Sequence, residues 1–184
     1  MLKEKLQNFF KLDRRWIFLV LAVVLFVPIV KPLALPNKTI SPTTQRVYEF
    51  IEKQPPGAFI LFSLDYDPST RPELHPMAMA LVRHAFRKNL RVGVVTYIAG
   101  STGLIEEIFQ KVPREYKKTD GVDYVIFPYM PNILAAMTQM ASDLYGAYAK
   151  DRNNKEVQSM PVMEGIRNYK NMGGVVCITG TAIL

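Results

Sequence analysis

Apolar residues fall into two patterns along this chain, and the two alternate. Short continuous runs occur at Ala58-Phe-Ile-Leu-Phe-Ser-Leu64, Val92-Gly-Val-Val-Thr-Tyr97, Val122-Asp-Tyr-Val-Ile-Phe127 and Val175-Val-Cys-Ile-Thr179. Runs of this length, rich in β-branched and aromatic residues, predict strands buried on both faces. Between them, apolar positions recur at three- and four-residue intervals, as on one face of a helix. The cleanest case is Leu74, Met77, Ala78, Leu81, Val82, Ala85 and Phe86. Ile105, Ile108, Phe109 and Val112 mark a second helix. A third is expected over 132–148, buried through Ile133, Met137, Met140, Ala141, Leu144 and Tyr148, and a short fourth over 161–170. Ahead of the first strand, Ser41-Pro42 reads as an N-cap with proline in the first turn, and Pro55-Pro56-Gly57 stops that helix.

Strands separated by helices need crossover connections. The pattern therefore predicts an α/β domain over 58–184, a doubly wound, mainly parallel sheet of about four strands flanked by helices. The last strand is followed only by Gly180-Thr-Ala-Ile-Leu184, where another helix would begin, so a domain truncated at its C-terminus is expected.

A different pattern precedes the domain. Residues 1–15 are a basic, amphipathic leader, and Trp16 to Val30 follows without a charge. Fifteen helical residues reach only about 22 Å against a hydrocarbon core of roughly 30 Å. Extension to Leu35 gives an anchor over 16–35, with Lys31 snorkelling and Trp16, Arg14 and Arg15 at the other interface. A cleaved signal peptide would need small residues before the cut, and Leu33-Ala34-Leu35-Pro36 lacks them. A buried core helix is the third reading of the same stretch. The uncleaved transmembrane helix is the expectation, with residues 36–57 as linker and first helix. Basic residues on its N-terminal side put the N-terminus in the cytoplasm and the domain outside it.

Charge adds little beyond this. The formal net charge is +7, and six basic against two acidic residues precede Pro36, so most of the excess flanks the membrane segment. That argues against a nucleic-acid partner. The single cysteine, Cys177, permits no intrachain disulfide and lies in an apolar run that predicts a buried, inert thiol. The methionines read as core filler, with a methionine-rich binding face as the sharper alternative.

In a parallel sheet the ligand crevice lies beyond the C-terminal strand ends. That edge should gather Asp65, Asp67, Ser101, Thr102, Tyr129 and Thr181. These supply carboxylates, hydroxyls and a phenol without a basic residue, which suits a cation or a neutral polar ligand better than a phosphate. Ordinary turn chemistry accounts for the same residues, Asp67-Pro68-Ser69-Thr70 above all. Ala99-Gly-Ser-Thr-Gly103 could cradle an anion at a helix start, but Glu106 and Glu107 already occupy that turn. His75 and His84, nine positions apart, are about 90° from one another on a helix and form no metal pair. His84 should be partly exposed. No cofactor signature is present.

Asp65-Tyr66-Asp67 after a strand, with Thr96 ending the next, resembles the haloacid-dehalogenase-type phosphotransferases. The resemblance implies a nucleophilic first aspartate, a proton-handling second one and magnesium. Pro68 stands where that family has glycine, and neither Phe127-Pro-Tyr129 nor Thr179-Gly-Thr181 brings the later acidic residues. A longer set of motifs comprises Gly121-Val-Asp-Tyr-Val125, Tyr129-x-Pro131, Met137, Met140-x-x-Asp143 and Pro161-x-Met163-x-Gly-Ile-x-Asn-Tyr169. These resemble an uncharacterised group of membrane-anchored prokaryotic proteins with a Rossmann-like α/β domain. That likeness implies a longer parent chain and carries no known activity. The expected function is a membrane-anchored, extracytoplasmic binding component, with the lipid bilayer and a membrane protein as partners. The alternative is an enzyme that uses Asp65 and Asp67 in a strand-end crevice.

Overall fold

The computed structural model describes residues 13–31 and 40–180. The chain divides into two units, the second beginning at Thr43. In the first unit a helix, α1, runs Arg14–Val30, with Asp13 capping its start by accepting from Arg15 N (3.1 Å). None of its residues is buried. Its 17 residues stop at Lys31, short of the 20 expected, and residues 32–35 of the expected anchor lie outside the described residues. Among the described residues, no helix is long and apolar enough to cross a membrane.

The second unit is the α/β domain. Its elements are α2 (Pro42–Glu52), β1 (Phe59–Asp65), α3 (Arg71–Arg87), β2 (Arg91–Val95), α4 (Ser101–Glu115), β3 (Tyr124–Ile126), α5 (Ile133–Ser142), α6 (Leu144–Ala147) and β4 (Gly174–Thr179). The four strands form one sheet in the order β3-β2-β1-β4, every pair parallel. The path from β1 to β3 steps one way, and the return to β4 reverses it. Right-handed crossovers then require the β3–β4 connection to run over the opposite face. The two cores agree with this. Ile60, Phe62 and Leu64 of β1 pack with α2, α3 and α4. Phe59 and Leu61 pack with Met140, Leu144 and Tyr148 from the β3–β4 connection. Where β2 passes Phe59, a Cβ at Gly93 would overlap the phenyl ring, so that position has room for hydrogen only.

Several expectations change here. The helix expected over 132–148 breaks at Asp143, which is extended (φ −151°) and caps α6 by accepting from Tyr145 N. Met140, Leu144 and Tyr148 are buried, whereas Met137 and Ala141 face solvent and Ala136 takes their place. The helix expected over 161–170 is two 3₁₀ turns, Pro161–Met163 and Tyr169–Asn171, separated by Gly165 at φ +76°. His84 is buried, because α2 brings Tyr48 to stack on its ring at 4.5 Å and Glu52 to bond its Nε2 at 2.8 Å. Cys177 is exposed rather than buried: β4 ends the sheet, and its side of that strand is left uncovered.

Candidate functional site

The sheet order reverses between β1 and β4, and the C-terminal end of that pair is the switch point at which a doubly wound sheet opens a crevice. Asp65 ends β1 there, fully buried. Its Oδ1 accepts from Tyr97 N at 2.7 Å and from Thr96 Oγ1 at 3.3 Å, and Ser63 Oγ donates to its Oδ2. Oδ1 thus ties the end of β1 to the start of the β2–α4 loop, while Oδ2 is held within β1 by Ser63. Ser101 is equally buried and clamps the next residue: it accepts from Tyr66 N (3.0 Å) and donates to Tyr66 O (2.6 Å). Asp67 lies at a turn. It accepts from Ser69 N (2.8 Å), Ser69 Oγ (2.6 Å) and Thr70 N (3.3 Å), and those bonds hold its carboxyl below the usual range. Asp65, Asp67 and Ser101 share the strand-end edge, each holding the chain's own backbone.

Around Asp65 lie groups kept protonated. Burial, with Asp65 adding to it, pushes the Tyr97 phenol up to about 12, and partial desolvation beside Asp65 raises the Cys177 thiol even though the residue is exposed on its outer side. Burial raises Tyr148, with the neighbouring Tyr97 and then Asp65 adding to it; the residue is 1% exposed and its hydroxyl has no partner of hydrogen-bond geometry. A thiol held in its neutral form is a poor nucleophile.

Thr102 and Tyr129 lie elsewhere on the same edge. They line a cavity of about 260 Å³ beyond the ends of β2 and β3, with Thr96, Glu106, Arg152 and Asn153. Arg152 Nη1 meets Glu106 Oε2 at 2.7 Å. This basic residue was not legible in the sequence, where 150–158 reads as an exposed polar loop. Asp151 folds that loop by accepting from Asn153 N and Lys155 N, both at 2.8 Å. Arg152 N then donates to Ile126 O at 3.0 Å, which docks the loop on the end of β3. The Asp-x-Asn-x-Lys spacing was the available signal, since a side chain that caps its own turn presents the next residue outward. The cavity therefore offers guanidinium, amide and hydroxyl donors beside one carboxylate, which corrects the expectation of an edge without a cation. Thr181 lies outside the described residues. Among the described residues, no group of three His, Cys, Asp or Glu side chains could hold a metal ion.

A third polar group lies under the edge. Tyr66 Oη and His75 Nδ1 are 3.0 Å apart, both residues buried. Burial pushes the Tyr66 phenol up to about 12, so it is the donor and Nδ1 accepts. His75 Nε2 is buried without a hydrogen-bond partner, 3.7 Å from Glu107 Oε1, which Arg71 holds with two bonds of 2.8 Å. Burial lowers the His75 pKa, Arg71 reinforces the shift and Glu107 opposes it. The unfolded chain then binds a proton near pH 6.5 that the folded chain resists, so stability is complete above that pH and falls below it. Urea midpoints should drop between pH 7 and 5.5, and H75Q should reduce that drop. An unchanged drop in H75Q would rule out His75 as its source. Glu52 and Glu115, both held low by their partners, lose stability only at lower pH.

Comparison with protein-family models, with curated proteins and with solved structures finds no match to this chain.

Proposed function

We propose that this chain is a membrane-tethered binding component: a bilayer anchor around residues 16–35 that carries an extracytoplasmic α/β domain. One observation carries the reading. From Trp16 to Val30, every large apolar side chain of α1 is more than half exposed, so the helix is apolar all round. Such a helix belongs in a core or a membrane. Its 17 residues rise about 25 Å, less than a hydrocarbon core of roughly 30 Å. Snorkelling by Lys31 and local thinning of the bilayer accommodate a short span at modest cost.

Binding suits the domain better than hydrolysis. A nucleophilic aspartate needs an open oxygen, and both oxygens of Asp65 are engaged by the protein itself. The strand-end cavity, by contrast, presents Thr102, Tyr129 and Arg152 to a small polar ligand or a protein side chain.

A cell experiment tests the tether and its direction. With C177S to remove the native thiol and K155C placed in the exposed loop, the full chain should remain in the membrane pellet after alkaline carbonate extraction. An impermeant maleimide should label it in intact cells. Extraction into the supernatant would refute the tether, and labelling only after lysis would refute the orientation. L21R and V24R together should release the chain from the pellet.

A further inference from the structure

Among the described residues, β4 lies at an outer edge of the sheet. The strand ends the sheet, and its register with β1 runs unbroken from Gly174 to Thr179 without a bulge. Edge strands are ordinarily blunted by a charge, a proline, a bulge or a short length. Gly174-Val-Val-Cys-Ile-Thr179 has none of these. Arg91 N donates to Ala58 O (2.9 Å) on the β2 side of β1, whereas Gly180 N donates to Asp65 O (3.1 Å) on the β4 side. The two-residue alternation of a strand then turns the N–H and C=O of Val175 and Cys177 to the open side. Their side chains are exposed too, Val175 at 53%.

We propose that this edge is a homodimer interface, in which β4 pairs antiparallel with β4 of a second copy about a two-fold axis at Cys177. Self-complementarity selects the second copy as the occupant. About Cys177 the strand is nearly symmetric: Val175 faces Thr179 of the other copy, Val176 faces Ile178, and Cys177 faces itself. The two pairs that flank Cys177 are β-branched, the residue type that stabilises cross-strand contacts. This register makes Cys177–Cys177 a hydrogen-bonded pair, so the outward backbone groups of Val175 and Cys177 in both copies find partners. Electrostatics permit the same pairing. The strand is uncharged, and the two arginines beside it are already paired, Arg83 with Glu115 at 2.7 Å and Arg87 with Glu52 at 3.7 Å. The strand itself therefore contributes no like charges to the pairing, despite the chain's net charge of +7. An apolar groove of about 730 Å³ between α2, α3 and β4, floored by Val176 and Ile178, runs along the same edge and closes in the dimer. The outcome is one continuous eight-stranded sheet.

Paired residues of this type have Cα atoms about 5.5 Å apart, within disulfide reach. Copper phenanthroline should therefore link the full chain, in detergent micelles, through Cys177. V175K places a charge opposite Thr179 of the other copy and should lower the linked fraction about tenfold. Adding T179E should restore it, since each new lysine then faces a new glutamate. Circular dichroism reports folding. Should V175K unfold, the neutral variants decide: V175C/C177S should link poorly and V175C/T179C/C177S well, as only that register predicts. Cys177 that reacts with a monofunctional maleimide yet never links would overturn the proposal. So would linking that V175K leaves unchanged, or association without a Cys177 link, which would place self-association on another surface.

Discussion

Replacing Asp65 by alanine should destabilise the α/β domain by about 3–5 kcal/mol, a loss large enough to leave it marginal. The cause is what the carboxylate leaves behind. Tyr97 N–H, Thr96 Oγ1 and Ser63 Oγ all donate to it in a fully buried setting. A buried donor stripped of its acceptor costs about 1–3 kcal/mol, with the backbone amide least able to find another partner. D65N should recover part of the loss, because one amide oxygen can still accept from Tyr97 N while Ser63 rotates to accept from the new amide. D67A, which removes a half-buried turn cap, should cost only about 1 kcal/mol. Urea denaturation of the full chain followed by far-ultraviolet circular dichroism gives the comparison. Equal losses for D65A and D67A would show that the Asp65 network does not hold the β1 end. Small losses for both would also reopen Asp65 as a reactive group.

F86A should be similarly severe, at about 3–5 kcal/mol. Phe86 is 1% exposed and lies at the centre of an aromatic cluster. It meets Phe109 edge-on at 6.4 Å and 89°, and it tilts against Tyr124 at 6.1 Å and Tyr116 at 6.4 Å. Truncation removes its burial and leaves a cavity at the junction of α3, α4 and β3, where three elements must shift together to close it. Met77 is the control on the same helix. It is half exposed on the wall of the groove beside β4, and M77A should change stability by no more than about 0.5 kcal/mol. Comparable losses for F86A and M77A would mean that α3 is rotated about its axis.

That comparison also marks how far the helix pattern could be read in advance. The α3 stripe contains Ala78, Val82, Ala85 and Phe86, all buried, but it also contains Met77, which faces outward. A stripe of seven apolar positions is wider than the face that one sheet covers. Periodicity locates its middle, and its margins depend on which neighbour arrives. His75 shows the same limit from the polar side. Its burial follows from Tyr66 and Glu107, which lie on other elements.

By itself the sequence determined the four strands and the helices α3 and α4 between them, but not the 3₁₀ turns over 161–171 or the break at Asp143. Short apolar runs between turn signals read as strands, and the helical stripes between them call for parallel crossovers. The observed β1, Phe59–Asp65, departs from the apolar run at 58–64 by one residue at each end. The segment around α1 was legible as apolar on every side for the same local reason. Tertiary structure decided everything that depends on adjacency. It placed β4 at an edge, which exposes a cysteine whose sequence neighbours predict burial. It divided the strand-end residues between a sealed network at Asp65 and an open cavity at Thr102 and Tyr129. It brought Arg152 to that cavity by docking a polar loop on β3. Local periodicity records how much apolar surface a segment must hide. Which surface hides it, and which polar groups are closed in alongside, is set by segments distant in the chain and close in space.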